Sequence, residues 1–189
     1  MKILPLALAL SVAGLSASAN EYEPQIRDYL ENNIMSWVND PAVVQAVLEQ
    51  NQRNSGMSQD EIDMLDANWR AEVGASSSPT IDPVLNNPSS AFLREQVAAA
   101  GGAITEIFTM DLNGLNVAAS DTTSDYWQGD EDKFSQTYLI GAGAVHISDV
   151  EFDESSQSYQ AQVSITLVDP GTNAAIGAMT VGLNADELF

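Results

Sequence analysis

The stretch ITEIFTMDLNGLNVAASD, residues 104–121, decides the fold, and TTSDYWQGDEDKF, residues 122–134, follows it directly. Ile104, Phe108 and Met110 fall in phase with a two-residue repeat, as do Leu115, Val117 and Ala119. Such alternation marks a half-buried strand. Asn113-Gly114 stands between the two runs, and that dipeptide accepts the positive φ angles that a tight hairpin turn needs. The spacing predicts a hairpin with strands at about 103–110 and 115–120, running straight into an acidic, aromatic loop from Ser120 to Glu131.

Ahead of the hairpin the apolar positions repeat with a helical period. Ile26, Leu30, Ile34, Trp37 and Val38 make one stripe, and Val43, Val44, Val47 and Leu48 make the next. Asp40-Pro41 between them joins a good N-cap to a proline at the first helical position. Two helices in near succession, or one long bent helix, are expected over roughly 25–53. Ser58 and Glu61 have the spacing of a capping box ahead of Ile62, Leu65 and Trp69, so a third helix should end by Gly74. Trp37 and Trp69, at helical spacing with aliphatics, read as core. Residues 75–90 hold three prolines and a serine run and read as an irregular loop laid across the surface. A short helix should follow, capped by Ser89 or Ser90, with Phe92, Leu93, Gln96 and Val97 inward and Gly101-Gly102 as its stop.

Behind the hairpin the two-residue period dominates. Lys133 to Leu139 suits a short helical turn. Strand three is expected at about 144–152, with a bulge near Ser148-Asp149, because Val145 and Ile147 are out of phase with Val150 and Phe152. Strand four, 159–168, should point Tyr159, Ala161, Val163, Ile165 and Leu167 inward. Asp169-Pro170-Gly171 turns it, strand five follows at about 175–183, and Leu188-Phe189 forms an apolar tail. Helices first and five antiparallel strands afterwards give an α+β fold, with residues 20–189 as one domain.

The totals narrow the functions available. The chain has 189 residues, no cysteine, and 27 Asp plus Glu against six Lys plus Arg, for a formal net charge of −21. Met1-Lys2, the apolar run from Ile3 to Leu15 and Ala17-Ser18-Ala19 have the layout of a secretory signal peptide cleaved after Ala19. The run is shorter than the ~20 residues a membrane span needs. A periplasmic or secreted protein without membrane insertion is the expectation. Without cysteines there is no thiol nucleophile, Cys-based zinc site or iron–sulfur centre, and no cofactor is expected. The negative surface repels phosphate backbones and so excludes nucleic acid as a partner.

The hairpin "IFTMDLNGLNVAASD", the loop "SDYWQGDEDKF", the ending "AAIGAMTVGLN" and the helix "WVNDPAVVQAVLEQN" stand in an order that resembles extracytoplasmic Cache sensor domains, PAS-like modules of the PDC type. The resemblance covers nearly all of the chain after the signal. It implies long N-terminal helices packed on a five-stranded antiparallel PAS-like sheet. It also implies a small-molecule ligand, such as an amino acid, organic acid or amine, held between that sheet and the loops after strand two. The positions that match are Ser120, Asp121, Asp125, Tyr126, Trp127, Asp130 and Glu131. Relatives that bind amino acids often carry an Arg just after the aspartate-tyrosine pair, whereas this chain has Gly129-Asp130-Glu131. Such domains usually feed a kinase or chemoreceptor, which makes a membrane receptor or kinase the implied partner and a homodimer through the N-terminal helix the implied assembly.

The residues themselves leave two readings of the loop open. Tyr126 and Trp127 beside Asp121, Asp125, Asp130 and Glu131 would hold an ammonium by ring face and carboxylate. Without the Arg clamp, the ligand is expected to be a cationic, polyol or neutral metabolite rather than a simple carboxylate. The competing reading makes Trp127 a core anchor and the acids solvated. Asp111-Leu112-Asn113-Gly114 superficially resembles a calcium loop but lacks the EF-hand order, with Thr122 where the twelfth-position Glu belongs. His146, the single histidine, is taken as half-buried and as a candidate pocket residue; Arg70 and Arg94 either pair with local acids or reach the pocket. The preferred reading is a non-catalytic binding domain. A carboxylate-based hydrolase and an interaction module without ligand are the alternatives, and no spacing singles out a general acid and base.

Overall fold

The computed structural model describes residues 22–153 and 158–188. The expected signal peptide lies outside the described residues, as do Phe189 and residues 154–157 of the turn after the third strand. Helix α1 (Glu23–Tyr29) passes into a π-helical turn, Leu30–Ile34. The chain then breaks and restarts at Asp40, whose carboxylate accepts the Ala42 N–H at 2.8 Å and caps α2 (Pro41–Asn54). Two helical pieces are therefore present rather than one. The third helix, α3 (Gln59–Glu72), opens on the expected capping box, with Ser58 and Glu61 bonded reciprocally.

The proline-rich stretch is more ordered than expected. Helix α4 (Ile81–Leu85) forms inside it and α5 (Pro88–Ala99) begins inside it. The Glu72 carboxylate, eight residues upstream, accepts from Thr80 N–H at 2.7 Å and Ile81 N–H at 3.1 Å. Pro83 and Pro88 lie in first turns, where a missing N–H leaves no bond unmade. The cap of α5 is Asn87 rather than Ser89 or Ser90: its side-chain oxygen accepts the Ser90 N–H at 2.9 Å, and its amide nitrogen lies within 3.1 Å of the carbonyls of Pro83, Val84 and Val117. Ser90 bonds Val84 O and Ala119 N instead, tying α5 to the hairpin.

Strands β1 (Ile104–Met110) and β2 (Asn116–Ala119) form the expected hairpin. After α6 (Asp132–Ser135) come β3 (Val145–Ile147), β4 (Glu151–Asp153), β5 (Ser158–Val168) and β6 (Ala175–Asn184), and the chain closes with α7 (Ala185–Leu188). The sheet is antiparallel, in the order β2-β1-β6-β5-β3, with β4 also on β5. The expected third strand is split into β3 and β4. The interruption falls where the alternation slips: the Ser148 hydroxyl, not a backbone carbonyl, accepts the Gln162 N–H at 2.8 Å. Counted as one interrupted strand, the pair restores the expected five.

One face of the sheet buries Ala161, Val163, Ile165, Leu167, Met179, Val181 and Leu183 under Ile26, Leu30, Ile34, Val43, Val47 and Leu93 of the N-terminal helices and α5. Full burial of each such aliphatic stabilises by roughly 1.5–3 kcal/mol. The other face carries Phe108, Met110 and Ala178 beneath Ile62 and Trp69 of α3, Ile81 and Val84 of α4, and Tyr126 and Phe134. Tyr159 departs from the expected inward set. It is 53% exposed and packs edge-on against Phe152 at 5.3 Å, because β6 ends opposite Gln160 and leaves Tyr159 paired only with the edge strand β4. Trp37 is half-buried, set edge-on to Phe92, whereas Trp69 is fully buried.

Candidate functional site

The hairpin turn is pinned from below. Asp111 is fully buried, and its carboxylate accepts from the N–H groups of Asn113 (2.8 Å) and Leu115 (3.0 Å) and from the amides of Gln50 (3.1 Å) and Asn54 (2.6 Å). These four bonds occupy the oxygens that an ion loop would have used. Among the described residues no group of three or more His, Cys, Asp or Glu could hold a metal ion.

The loop then folds back over the turn. Gly114 has φ +81°, and a Cβ there would stand 2.6 Å from the Gly129 Cα, so both conformation and space require glycine. Gln128 N–H donates to Gly114 O at 2.8 Å and Asn116 N–H to Tyr126 O at 3.0 Å, which lays residues 126–128 beside 114–116 like a short extra strand. From α3, Asp66 accepts the N–H groups of Tyr126 (2.9 Å) and Trp127 (3.1 Å) and pairs with Arg70 at 2.7 Å. The Trp69 indole donates to Thr123 O at 2.9 Å and stacks on Tyr126, centroids 5.0 Å apart.

This geometry distributes the expected site residues unevenly. Ser120 closes the hairpin, its hydroxyl accepting the Ile107 N–H at 2.9 Å. Asp121 and Asp130 are exposed. Asp125 is used inside the loop, bonded by Gln128 at 2.6 Å and Ser124 at 3.0 Å, with Arg70 at 3.9 Å. Trp127 is half-buried and donates its indole N–H to Asn113 O at 2.9 Å. Tyr126 is buried with one ring face taken by Trp69. Arg94 bonds Leu85 O rather than a pocket group. Glu131 and His146 face a common cavity.

Between the loop and the sheet runs a cleft of about 440 Å³, bounded by Glu106 and Phe108 of β1, Gln162 of β5, residues 122–124, Gln128 and Lys133. A cavity of about 320 Å³, to which Glu131 and His146 belong, shares Lys133 and Gln162 with it. Lys133 is the centre of this region. Its ammonium lies 2.9 Å from the Glu131 carboxylate, 3.1 Å from Gln128 Oε1 and 5.5 Å from the centroid of the Phe108 ring. On the floor, Gln162 donates to Glu106 at 3.1 Å across β6. Both residues are in register with Gly182, and a Cβ there would approach Glu106 Cγ to 2.8 Å. Beside them the buried hydroxyls of Ser164 and Thr180 meet at 2.9 Å. The sheet is thus polar beneath α6, where burial alone would favour aliphatics.

Lys133 and Gln162 are absent from the expected site. Lys133 had a signal, being the only lysine after Lys2 in so acidic a chain. Gln162 had none, since on an alternating strand it reads as a solvent-side residue.

No protein-family model matches the chain, and no curated protein matches it. Solved structures do. The structure is similar to the sensor domain of the V. cholerae histidine kinase DctB, with TM-score 0.49 and 13% identity over 89% of this chain and 57% of that one. It is also similar to the ligand-binding domain of the Campylobacter jejuni chemoreceptor Tlp3 in complex with 4-methylisoleucine (TM-score 0.42, 12% identity, 88% of this chain and 61% of that one). A third is the ligand-binding domain of the Pseudomonas fluorescens chemoreceptor CtaA in complex with L-alanine (TM-score 0.39, 11% identity, 81% and 60%). The chain spans between 57% and 61% of the length of these three. No described helix is long and apolar enough to cross a membrane.

Proposed function

We propose that the protein is an exported sensor module that binds a small molecule, without chemistry, in the cleft between the Ser120–Glu131 loop and the sheet. The observation that carries this reading is the set of polar groups that line the cleft beside Phe108: Glu106, Gln128, Gln162 and Lys133, whose ammonium stands over the Phe108 ring and pairs with Glu131 at the edge. A few fixed polar groups about an apolar surface are what orients a small ligand.

The ligand class follows from the pairing. The Lys133 charge is already matched by Glu131 at 2.9 Å, so a ligand carboxylate would have to displace Glu131. An ammonium or hydroxyl group instead finds acceptors in Glu106 and Glu131 and a ring in Phe108. We therefore assign a cationic, polyol or neutral metabolite. Each of the two glutamates is held by an intramolecular partner, which suits binding rather than acid–base turnover. Export after Ala19 would place the domain in the periplasm or outside the cell, with a membrane receptor or kinase as the recipient of the signal.

A thermal-shift panel of amines, polyols, amino acids and dicarboxylates, followed by calorimetry of the hit, tests this. The expected hit is an amine or polyol, and Gln162→Ala should weaken it about tenfold, the loss of one hydrogen bond with its partner left unpaired. Binding confined to dicarboxylates, or an unchanged affinity in the variant, would contradict it.

A further inference from the structure

A larger cavity, about 620 Å³, lies apart from this cleft, between α2, α4, the start of α5 and β2. Among the expected site residues only Tyr126 borders it. We propose that it is a second binding site, for a small molecule with an apolar body and one carboxylate. The volume is in the range of small-molecule pockets, and Ala46, Leu65, Val84 and Val117 supply apolar walls.

The polar lining is biased toward donors. Ser89 borders the cavity, is 1% exposed, and its hydroxyl has no hydrogen-bond partner. A buried hydroxyl left in that state is costly, and an acceptor on a ligand would satisfy it. Arg53 also borders the cavity, and among the described residues it forms no salt bridge, although the chain carries a net charge of −21. Ser89 lies in the first turn of the 12-residue helix α5, whose positive dipole end therefore faces the void. The acids nearby are already engaged. Asp111 accepts four hydrogen bonds behind Gln50 and Asn54, and Glu49 at the rim accepts from Gln45 at 2.9 Å. The Tyr126 phenol is bonded to Gln50, so what remains facing the space is a guanidinium and a serine hydroxyl, which match a carboxylate.

The test titrates the purified protein with acetate, hexanoate, 4-phenylbutyrate and the uncharged hexanamide, read by calorimetry. Hexanoate and 4-phenylbutyrate should bind, with acetate weaker for want of an apolar body and hexanamide at least about tenfold weaker than hexanoate. Arg53→Gln should weaken hexanoate about tenfold. Ser89→Ala should weaken it too while raising the melting temperature of the ligand-free protein, a combination that a purely structural hydroxyl would not produce. Lys133→Met, in the other cleft, should leave hexanoate binding unchanged. The proposal is overturned if no carboxylate binds at millimolar concentration, if hexanoate and hexanamide bind equally, or if Arg53→Gln and Ser89→Ala bind like the parent. It is equally overturned if only Lys133→Met loses binding, which would move the carboxylate to the loop cleft without touching the cleft's own assignment as a ligand site.

Discussion

Burial pushes the Tyr126 phenol up to about 12, with the nearby Asp111 carboxylate adding to the rise and Arg53 and a Gln50 hydrogen bond opposing it. The unfolded chain would release that proton at ~10. The folded state therefore holds the proton more tightly, and the stability this represents is complete below pH ~10 and lost as pH rises through the interval up to about 12. Denaturant unfolding across that interval should show a fall of up to roughly 2–3 kcal/mol that Tyr126→Phe abolishes; an equally steep fall in the variant would contradict the assignment. At Gly182 the prediction is steric. An alanine would push into Thr105 and Glu106 and spread the Gln162–Glu106 pair, costing roughly 1–3 kcal/mol and weakening ligand binding in the cleft. Calorimetry and thermal unfolding of Gly182→Ala would show both effects. Residues of this kind are where sequence reading stops. Glu106, Gly182 and Gln162 lie far apart in the chain and meet only because β6 is inserted between β1 and β5, an order that strand periodicity does not encode.

The elements themselves were largely legible. The capping box at Ser58, the Asp40-Pro41 restart, the hairpin and the interruption of the third strand each have a local chemical cause that the residues display. The stretch 75–90 was not, because its helices are capped from a distance, by Glu72 and through an Asn87 amide that reaches Val117 on another element. The loop at 120–131 was legible as a place but not as a shape. Its acids and aromatics made it the candidate, yet Asp66, sixty residues earlier, decides how Tyr126 and Trp127 lie. Asp66→Ala should free the loop from α3, leave the N–H groups of Tyr126 and Trp127 and the Arg70 guanidinium without this partner, and cost roughly 2–4 kcal/mol. Hydrogen exchange should then accelerate at Tyr126 and Trp127 while the β5–β6 amides keep their protection. Uniform acceleration across the sheet would mean that Asp66 supports the whole fold rather than the loop.

At the scale of the molecule, a net charge of −21 makes self-repulsion the dominant long-range term. Raising the salt concentration from about 0.01 M to about 0.15 M shortens the screening length from ~30 Å to ~8 Å. The thermal midpoint should rise over that range, whereas a fall would mean that the few ion pairs outweigh the repulsion. The same excess of acid leaves its mark on both cavities: in the loop cleft the one lysine is consumed by a glutamate, and in the helical cavity an arginine is left without one. The two sheet faces are each roofed by a different set of helices. The most direct measurement is a crystal structure of the protein grown with the amine or polyol that most raises its melting temperature. Ligand density against Phe108, Gln162 and Gln128 beneath the Ser120–Glu131 loop is the predicted result. Density for that compound confined to any other surface, with the cleft filled by ordered water alone, would contradict it.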